Sequence, residues 1–353
     1  MIHKSTTEKQ KKTQFHDGID DSGYIQLLHS GEGYFLQLKK LIESAQKEIH
    51  LQTYIFENDE TGNDIADCLK KAAQRKVKVY ILLDAYGSAT LPDSFVQDLT
   101  HHGILIRFFS PIFSLNNFYL GRRMHHKVLV SDGKMALIGG INIANKYHGN
   151  LESEPWLDYA VQLDCPAAED LQKLCRDYFF KKGSSKKIKP VLHSAGRALV
   201  ALKKASNRGV RITIILAGIS DVPLVRRATE HLYSTFLNDH IQIYEWEKSV
   251  LHGKAAVVDN HWSTIGSFNL NSLSCYGSIE MNVEIYSPGF AEALRSDFNR
   301  VISECSEVTK SNFKQRAGIF NSLTDWLSYQ MIRSTMHFLT FLPHLRVLRK
   351  YRL

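Results

Sequence analysis

Residues 125–142 read HHKVLVSDGKMALIGGIN, and residues 252–269 read HGKAAVVDNHWSTIGSFN. Both stretches match the pattern His-x-Lys-x4-Asp-x6-Gly-x-x-Asn, and they begin 127 residues apart. Five defined positions that recur in this way indicate an internal duplication. Since His can be a nucleophile or a proton donor near neutral pH, and Lys and Asn can hold phosphoryl oxygens, each copy predicts half of a phosphoryl-transfer site.

The alternation within each copy is typical of a strand that presents His and Lys together. Side chains of a strand point to opposite faces with period two, so His125 and Lys127 share a face. His126 is predicted to point the other way and to be structural. His252 and Lys254 repeat the arrangement of the first copy.

The two copies supply a set of candidate site residues. Small residues after the second strand of each copy allow close backbone approach to a ligand. The Asp of each copy falls where a strand meets its turn, and we expect it to support that turn more than the chemistry. The predicted catalytic residues are His125, Lys127, Asp132, His252, Lys254 and Asp259, and the predicted substrate-binding residues are Asn142, Asn269, Ser267 and Gly140.

The duplicated pattern resembles that of the phospholipase D superfamily, in which both copies join in one site. The resemblance implies a two-step mechanism through a covalent phosphohistidine, with no metal and no cofactor. By resemblance, His125 is the nucleophile and His252 is the acid and base. Each His also needs an orienting carboxylate, because a bond to one ring nitrogen fixes the reactivity of the other. The second half offers Glu280 and the first half offers Asp158, for which a solvated turn acid is an equal alternative.

Other segments resemble bacterial cardiolipin synthases, in particular the type without amino-terminal membrane helices. These segments are residues 52–62, 83–88, 122–124, 139–144 and 222–227. The resemblance implies a phosphatidyltransferase that takes a phosphatidyl group from phosphatidylglycerol, or from phosphatidylethanolamine. The acceptor would be the hydroxyl of a second phosphatidylglycerol or of another alcohol. A phospholipase D or nuclease-type hydrolase, and a catalytically weak lipid-binding relative, are the alternatives.

Helix and strand patterns also recur between the halves, which predicts an α/β fold. We expect two phospholipase D-like α/β/α halves with mixed sheets, related by a pseudo-twofold axis. A carboxy-terminal amphipathic tail follows them. The predicted organisation is a disordered polar arm (1–22), a first half (23–180), a basic linker (181–194), a second half (195–310) and an amphipathic basic tail (311–353).

The second half is predicted to be shortened. The first half opens with the strand Ile49 to Phe56, and the counterpart of this strand should precede the helix at 195–206. Residues 181–189 read KKGSSKKIK there, without apolar alternation. The sequence therefore predicts that the second half lacks a strand and the turn after it.

Composition favours an anionic partner. The net charge is +8 and the sequence pI is about 9.1, which suits acidic lipid and nucleic acid alike. The five cysteines have neither paired nor metal-ligand spacing and read as reduced thiols.

The apolar tail favours lipid and makes nucleic acid unlikely. Residues 326–348 are rich in apolar side chains but lack the roughly 18 uninterrupted ones of a spanning helix. They fit an interfacial helix, and packing of the tail on the enzyme's own core is the alternative. We expect a peripheral protein on the cytoplasmic face of the cell membrane.

Overall fold

The computed structural model describes residues 17–335, except 21–22, 111–112, 115–116, 119–121, 151, 181–194, 272 and 317–322. The strands of the first half are β1 Asp17–Asp20, β2 Gly23–His29, β3 Glu48–Thr53, β4 Lys78–Asp84, β5 Leu105–Phe109, β6 Phe113–Ser114, β7 Asn117–Phe118, β8 Arg123–Met124, β9 Lys127–Ser131, β10 Met135–Gly139 and β11 Tyr159–Asp164. Its helices are α1 Glu32–Ser44, α2 Glu60–Gln74, α3 Asp93–His101, α4 Asn145–His148 and α5 Ala167–Phe180.

The second half contains shorter sheets. Its strands are β12 Thr213–Ile219, β13 Gln242–Val250, β14 Ala255–Val258, β15 Trp262–Gly266, β16 Ser278–Ile279, β17 Asn282–Tyr286 and β18 Ser306–Val308. Its helices are α6 Ala195–Asn207, α7 Pro223–Glu230, α8 Tyr233–Asn238, α9 Pro288–Ile302 and α10 Lys310–Arg316, and α11 spans residues 323–335.

An eight-stranded mixed sheet forms the centre of the first half, in the order β1-β2-β11-β10-β9-β3-β4-β5. Strand β3 is parallel to β4 and antiparallel to β9, and all six of its residues are buried. Helices α1 and α2 cover one face through apolar side chains such as Leu38 and Ile65. On the other face, Gln52 donates to the Cys175 carbonyl of α5 at 2.8 Å. The prediction of a covered mixed sheet is confirmed.

The second half lacks a counterpart of β3 among its described residues. Strands β12-β13-β18 and β14-β15-β17 form two separate three-stranded sheets, and nothing described pairs β12 with β14. The consequence is visible in burial: every residue of β9 is buried, whereas none of β14 is fully buried. The predicted loss of a strand stays a prediction, because the segment in which that strand would lie, the basic linker 181–194, is outside the described residues.

Two reciprocal strand contacts join the halves. Strand β8, just before His125, is parallel to β16, just before Glu280. In the same way, Leu157, just before Asp158, forms a parallel bridge with Leu251, just before His252. Side chains of both halves also share one apolar core. This exchange of equivalent segments is what the predicted pseudo-twofold relation requires.

The chain ends depart in part from expectation. Residues 1–16 and 336–353 lie outside the described residues, but Asp17–Asp20 pair with β2 as strand β1. The prediction of a wholly disordered arm over 1–22 is therefore wrong at these four positions, because backbone hydrogen bonds to β2 order them. Within the described residues, no helix has the length and apolar character needed to cross a bilayer.

Candidate active site

The nucleophile candidate His125 is oriented by the carboxylate of the opposite half. The His125 Nδ1 atom lies 2.9 Å from Glu280 Oε2. The strand contact described above causes this, because the His125 amide also donates to the Ile279 carbonyl at 2.9 Å. With Nδ1 engaged, Nε2 is left as the reactive nitrogen. The His125 side chain is 16% exposed, so a ligand can reach it.

The second site repeats this geometry with the halves exchanged. The His252 Nδ1 atom lies 2.6 Å from Asp158 Oδ2, and the His252 amide donates to the Leu157 carbonyl at 2.8 Å. Asp158 is fully buried, which excludes the alternative of a solvated turn acid. Each predicted carboxylate therefore bonds to the His of the other half, so neither half contains a complete site.

Burial and neighbouring cations shift the pKa values of both histidines downward. Burial is the larger cause at His125, followed by the charge of Lys127, and Glu280 opposes both. Burial and then Lys254 hold the pKa of His252 well below its usual range, against Asp158. Both imidazoles are therefore neutral at pH 7 in the empty site. A neutral imidazole is the form that can attack phosphorus.

The two carboxylates keep their charge despite burial. Burial raises the pKa of Glu280, but hydrogen bonds from His125 and Ser267 bring it below its ordinary value. Burial likewise raises the pKa of Asp158, and His252 and Lys254 more than offset this. Ionised carboxylates fix the histidine tautomers with the proton on Nδ1.

Lys127 and Lys254 are near enough for their charges to interact. Each Nζ atom donates to the carbonyl of the preceding His, His125 or His252. Burial, and then repulsion from Lys254, lowers the pKa of Lys127 to about 7. Burial lowers the pKa of Lys254 to about 8, against the pull of Asp158. A buried cation and a half-buried cation that repel each other form a site that favours an anion.

The small residues of the motif make room for the carboxylates. A Cβ atom on Gly140 would lie 2.3 Å from Asp158 Oδ1. At the equivalent position, Ser267 is buried beside Glu280 and accepts from the Met281 amide at 3.0 Å. The prediction that Gly140 admits a ligand is corrected: the group that approaches it is the Asp158 carboxylate.

The motif aspartates lie at the far ends of their strands. Asp132 accepts from the amides of Gln46, Lys47 and Glu48 at 2.8 to 2.9 Å, which ties the turn after β9 to the start of β3. Asp259 is exposed, and both aspartates have positive φ, 54° and 51°. The structure thus corrects their inclusion among catalytic residues, since this backbone position favours Asp for the turn.

The two motif asparagines are not equivalent. Asn142 is buried, accepts from the Ile55 amide at 3.0 Å and donates to the Tyr147 hydroxyl at 2.7 Å. Its predicted contact with substrate is therefore corrected to a supporting role. Asn269 is partly exposed, and its backbone amide donates to the Ser274 hydroxyl at 3.2 Å. Substrate binding by Asn269 stays a prediction.

Aromatic rings around the histidines escaped the sequence analysis. The Tyr54 ring lies 4.9 Å from the His125 ring, edge-on, and the Lys127 Nζ lies 5.4 Å from its centre. On the other side, the Tyr147 and Trp156 rings lie 5.4 and 6.1 Å from His252. The available signal for Tyr54 in the sequence was its position directly after β3, the strand that pairs with β9.

The sequence motifs also did not single out Asp84, which positions strand β8 just before His125. This buried carboxylate accepts from the Met124 amide at 2.8 Å, just before His125, and from the Tyr86 and Gly87 amides at 2.9 and 3.1 Å. Its signal in the sequence was an acid at the end of an apolar strand.

A large cleft of about 1580 Å³ lies beside residues 145–157 and α9. Neither catalytic His lines it, and its walls include Glu32, Asp64 and Glu152. These acids would repel a phosphodiester, so the lysine-bearing site is the better candidate. Among the described residues, no group of three or more His, Cys, Asp or Glu side chains has the geometry of a metal site.

Comparison with known proteins agrees with this geometry. The family model described as "Cardiolipin synthase, PLD-like domain" matches residues 38–158 and 178–302. The chain belongs to this family. Both matched segments include one copy of the duplicated motif, so the family assignment covers the two halves of the site.

Individual relatives point the same way. The chain is 32% identical to "Cardiolipin synthase B" of Escherichia coli, across 91% of this chain and 89% of that protein. It is 28% identical to "Minor cardiolipin synthase ClsB" of Bacillus subtilis, across 83% and 84%. The fold is similar to that of phosphatidylserine synthase from Haemophilus influenzae, with a TM-score of 0.71, 14% identity and coverage of 92% and 96%. This member of the cardiolipin synthase family is thus an enzyme of the phosphatidyltransferase class.

Proposed function

We propose that this enzyme transfers a phosphatidyl group through a phosphohistidine to the hydroxyl of phosphatidylglycerol or of another small alcohol. The observation that carries the proposal is the crosswise pairing of His125 with Glu280 and of His252 with Asp158. It gives two oriented imidazoles in the neighbourhood of two lysines, which is what double displacement at a phosphodiester needs.

In the first step, the Nε2 atom of His125 attacks phosphorus. A P–N bond forms, the P–O bond to the leaving alcohol breaks, and His252 gives that oxygen its proton. In the second step, the acceptor hydroxyl gives its proton to His252 while its oxygen attacks phosphorus. The P–N bond then breaks, and both histidines return to their starting states.

Substrate binding allows His252 to take up from solvent the proton that it needs. In the free enzyme the charge of Lys254 helps to keep the pKa of His252 low. A bound phosphodiester anion offsets the positive charge of the lysines, so the pKa of His252 rises in the complex. Protonation of the general acid is thereby coupled to occupancy of the site.

Lys127 and Lys254 supply the charge that the phosphoryl oxygens need in the transition state. We therefore propose turnover without metal or cofactor. Asn269 is the remaining candidate for a substrate contact from the motif, whereas Asn142 acts through Tyr147.

The proposed donor is phosphatidylglycerol, with phosphatidylethanolamine as the second donor. The relatives named as cardiolipin and phosphatidylserine synthases support lipid over nucleic acid as the substrate class. The net charge of +8 supports an anionic partner. We place the enzyme peripherally on the cytoplasmic face of the cell membrane.

Hydrolysis is the second candidate activity. Strand β14, which follows Lys254, is partly exposed throughout, and among the described residues it pairs only with β15. Water that reaches the phosphohistidine from this side would compete with the alcohol. A catalytically weak lipid-binding relative is the third alternative, and it predicts binding without turnover.

Incubation with labelled phosphatidylglycerol in vesicles separates these outcomes. Transfer yields cardiolipin and glycerol, hydrolysis yields phosphatidic acid, and binding alone yields neither. Rapid quenching with denaturant at alkaline pH, which preserves the P–N bond, followed by peptide mapping should place the phosphatidyl group on His125, and His125→Ala should abolish the label. A label found on His252 and never on His125 would reverse the assigned order. Turnover lost in EDTA and restored by a specific cation would contradict the metal-independent mechanism.

A further inference from the structure

Helix α11 is amphipathic, but polar side chains face the protein and large apolar side chains are exposed. Asp325 and Ser328 face the protein and are 6% and 7% exposed. Its large apolar side chains face solvent, with exposed fractions between 45% and 53%: Leu323, Trp326, Leu327 and Met331. Their spacing places them on one side of the helix. A helix that covers a core in water shows the opposite arrangement, so this face is suited to an apolar environment.

Polar contacts with α7 hold α11 in this orientation. The Arg227 guanidinium donates to the Thr324 hydroxyl at 3.1 Å and to Asp325 Oδ1 at 3.3 Å. The rings of His231 and Tyr329 lie 4.9 Å apart. Because these bonds engage the polar side of the helix, the apolar side is directed outward by the tertiary structure.

Helix α7 contributes more exposed apolar surface next to α11. Val222, Leu224 and Val225 are between 36% and 45% exposed. We call the exposed apolar side chains of α7 and α11 the apolar platform, comprising Val222, Leu224, Val225, Leu323, Trp326, Leu327 and Met331. Exposed apolar surface of this kind, on two elements in contact, marks an interaction site.

The charge of residues 326–353 indicates which kind of partner binds the apolar platform. Residues 326–353 contain no Asp or Glu and five basic residues, Arg333, Arg346, Arg349, Lys350 and Arg352. A second copy of this chain would bring two such cationic segments together, whereas an anionic bilayer complements them. Trp also favours the boundary between apolar and polar surroundings.

We propose that the apolar platform is the surface through which this enzyme lies on an anionic phospholipid bilayer. The bilayer would supply the substrate, and to that extent the inference rests on the proposed function. Asp221 lies two residues before α7, and its charge acts on Lys254 and Tyr147 at the site.

The test combines Trp326→Gln with Met331→Gln. The matched control combines Leu105→Gln with Leu174→Gln, which alters equally apolar side chains that are 52% and 40% exposed on the first half. Sedimentation with vesicles of equal phosphatidylglycerol and phosphatidylcholine should show binding weaker by about tenfold or more for the platform variant. The control should stay within about twofold of the wild type.

Two further measurements make the outcome decisive. Vesicles with brominated acyl chains should quench the fluorescence of Trp326, identified by difference from Trp326→Phe. Turnover of a short-chain phosphatidylglycerol below its micelle concentration should be the same in the platform variant and the wild type. If this soluble lipid is not turned over while vesicle binding behaves as expected, the proposed function fails and the docking surface stands.

The docking proposal is overturned by three results. The first is vesicle binding by the platform variant that equals that of the wild type. The second is Trp326 fluorescence that brominated lipid leaves unquenched. The third is a change of oligomeric state in the platform variant, measured by light scattering, with vesicle binding unaltered, which would make the platform an interface between two copies.

Discussion

Replacement of Lys127 by Met should make the protein more stable and catalytically inactive. The pKa of Lys127 is about 7 in the folded protein, against an ordinary value of 10.5. The difference of about 3.5 corresponds to on the order of 5 kcal/mol, at about 1.4 kcal/mol for each pH unit. Because the folded pKa is the lower one, the unfolded chain binds the proton more tightly. The free-energy cost of holding a charged Lys127 in the folded protein is therefore complete below pH 7, and it disappears as the pH rises from 7 to 10.5.

Met fills a similar volume without charge, but it removes the hydrogen bond from Lys127 to the His125 carbonyl. That bond contributes about 1 kcal/mol. At pH 6 the variant should therefore unfold with a free energy about 4 kcal/mol larger than that of the wild type. At pH 9 the penalty on Lys127 has fallen to about 2 kcal/mol, and the gain should shrink to about 1 kcal/mol.

Urea unfolding followed by circular dichroism at both pH values measures this difference. Lys78→Met is the matched control, since Lys78 is an exposed lysine on the neighbouring strand β4. Its effect should be small and equal at pH 6 and pH 9. A Lys127→Met variant that is less stable than the wild type at pH 6, or whose gain does not depend on pH, would refute the reasoning.

Three other expectations follow from the site. The kcat/KM profile should be bell-shaped: it rises as His125 loses its proton below pH 6.5 and falls as Lys127 loses its proton above about pH 7. Orthovanadate, a phosphate mimic, should bind with uptake of about one proton at pH 8, seen by calorimetry as a dependence of the heat on the buffer. Gly140→Ala should reduce kcat by about 10- to 100-fold, because its Cβ displaces Asp158, whereas Gly289→Ala, with its nearest neighbouring atom at 4.0 Å, should have little effect.

Each of these expectations has a distinct contradicting result. A rate that rises steadily up to pH 10 would show that no lysine charge is needed. A binding heat that is the same in all buffers would show that the anion does not change any protonation state. Full activity of Gly140→Ala in a folded protein would show that the position of Asp158 does not govern the rate.

The sequence alone determined the candidate catalytic side chains, because the duplicated spacing is a local property of the chain. The strand period placed His125 and Lys127 on one face and His126 on the other, where His126 bonds to Gln52 at 2.8 Å. The sequence also predicts a shortened second half, because a central strand requires apolar alternation and residues 181–189 have none.

Only the tertiary structure decided which carboxylate orients which histidine. Asp158 and Glu280 were both candidates, but the crossing of each to the opposite half depends on the parallel contacts of β8 with β16 and of Leu157 with Leu251. These contacts join residues more than 90 positions apart, and no local pattern encodes them.

The roles of Asn142 and Gly140, and the outward apolar face of α11, have the same origin. Asn142 is held by Ile55 and Tyr147, Gly140 makes room for Asp158, and Arg227 engages the polar side of α11. A residue type and its spacing define what a side chain can do. Which partner it meets is set by packing between distant segments, and this is why the site residues could be predicted but their pairing could not.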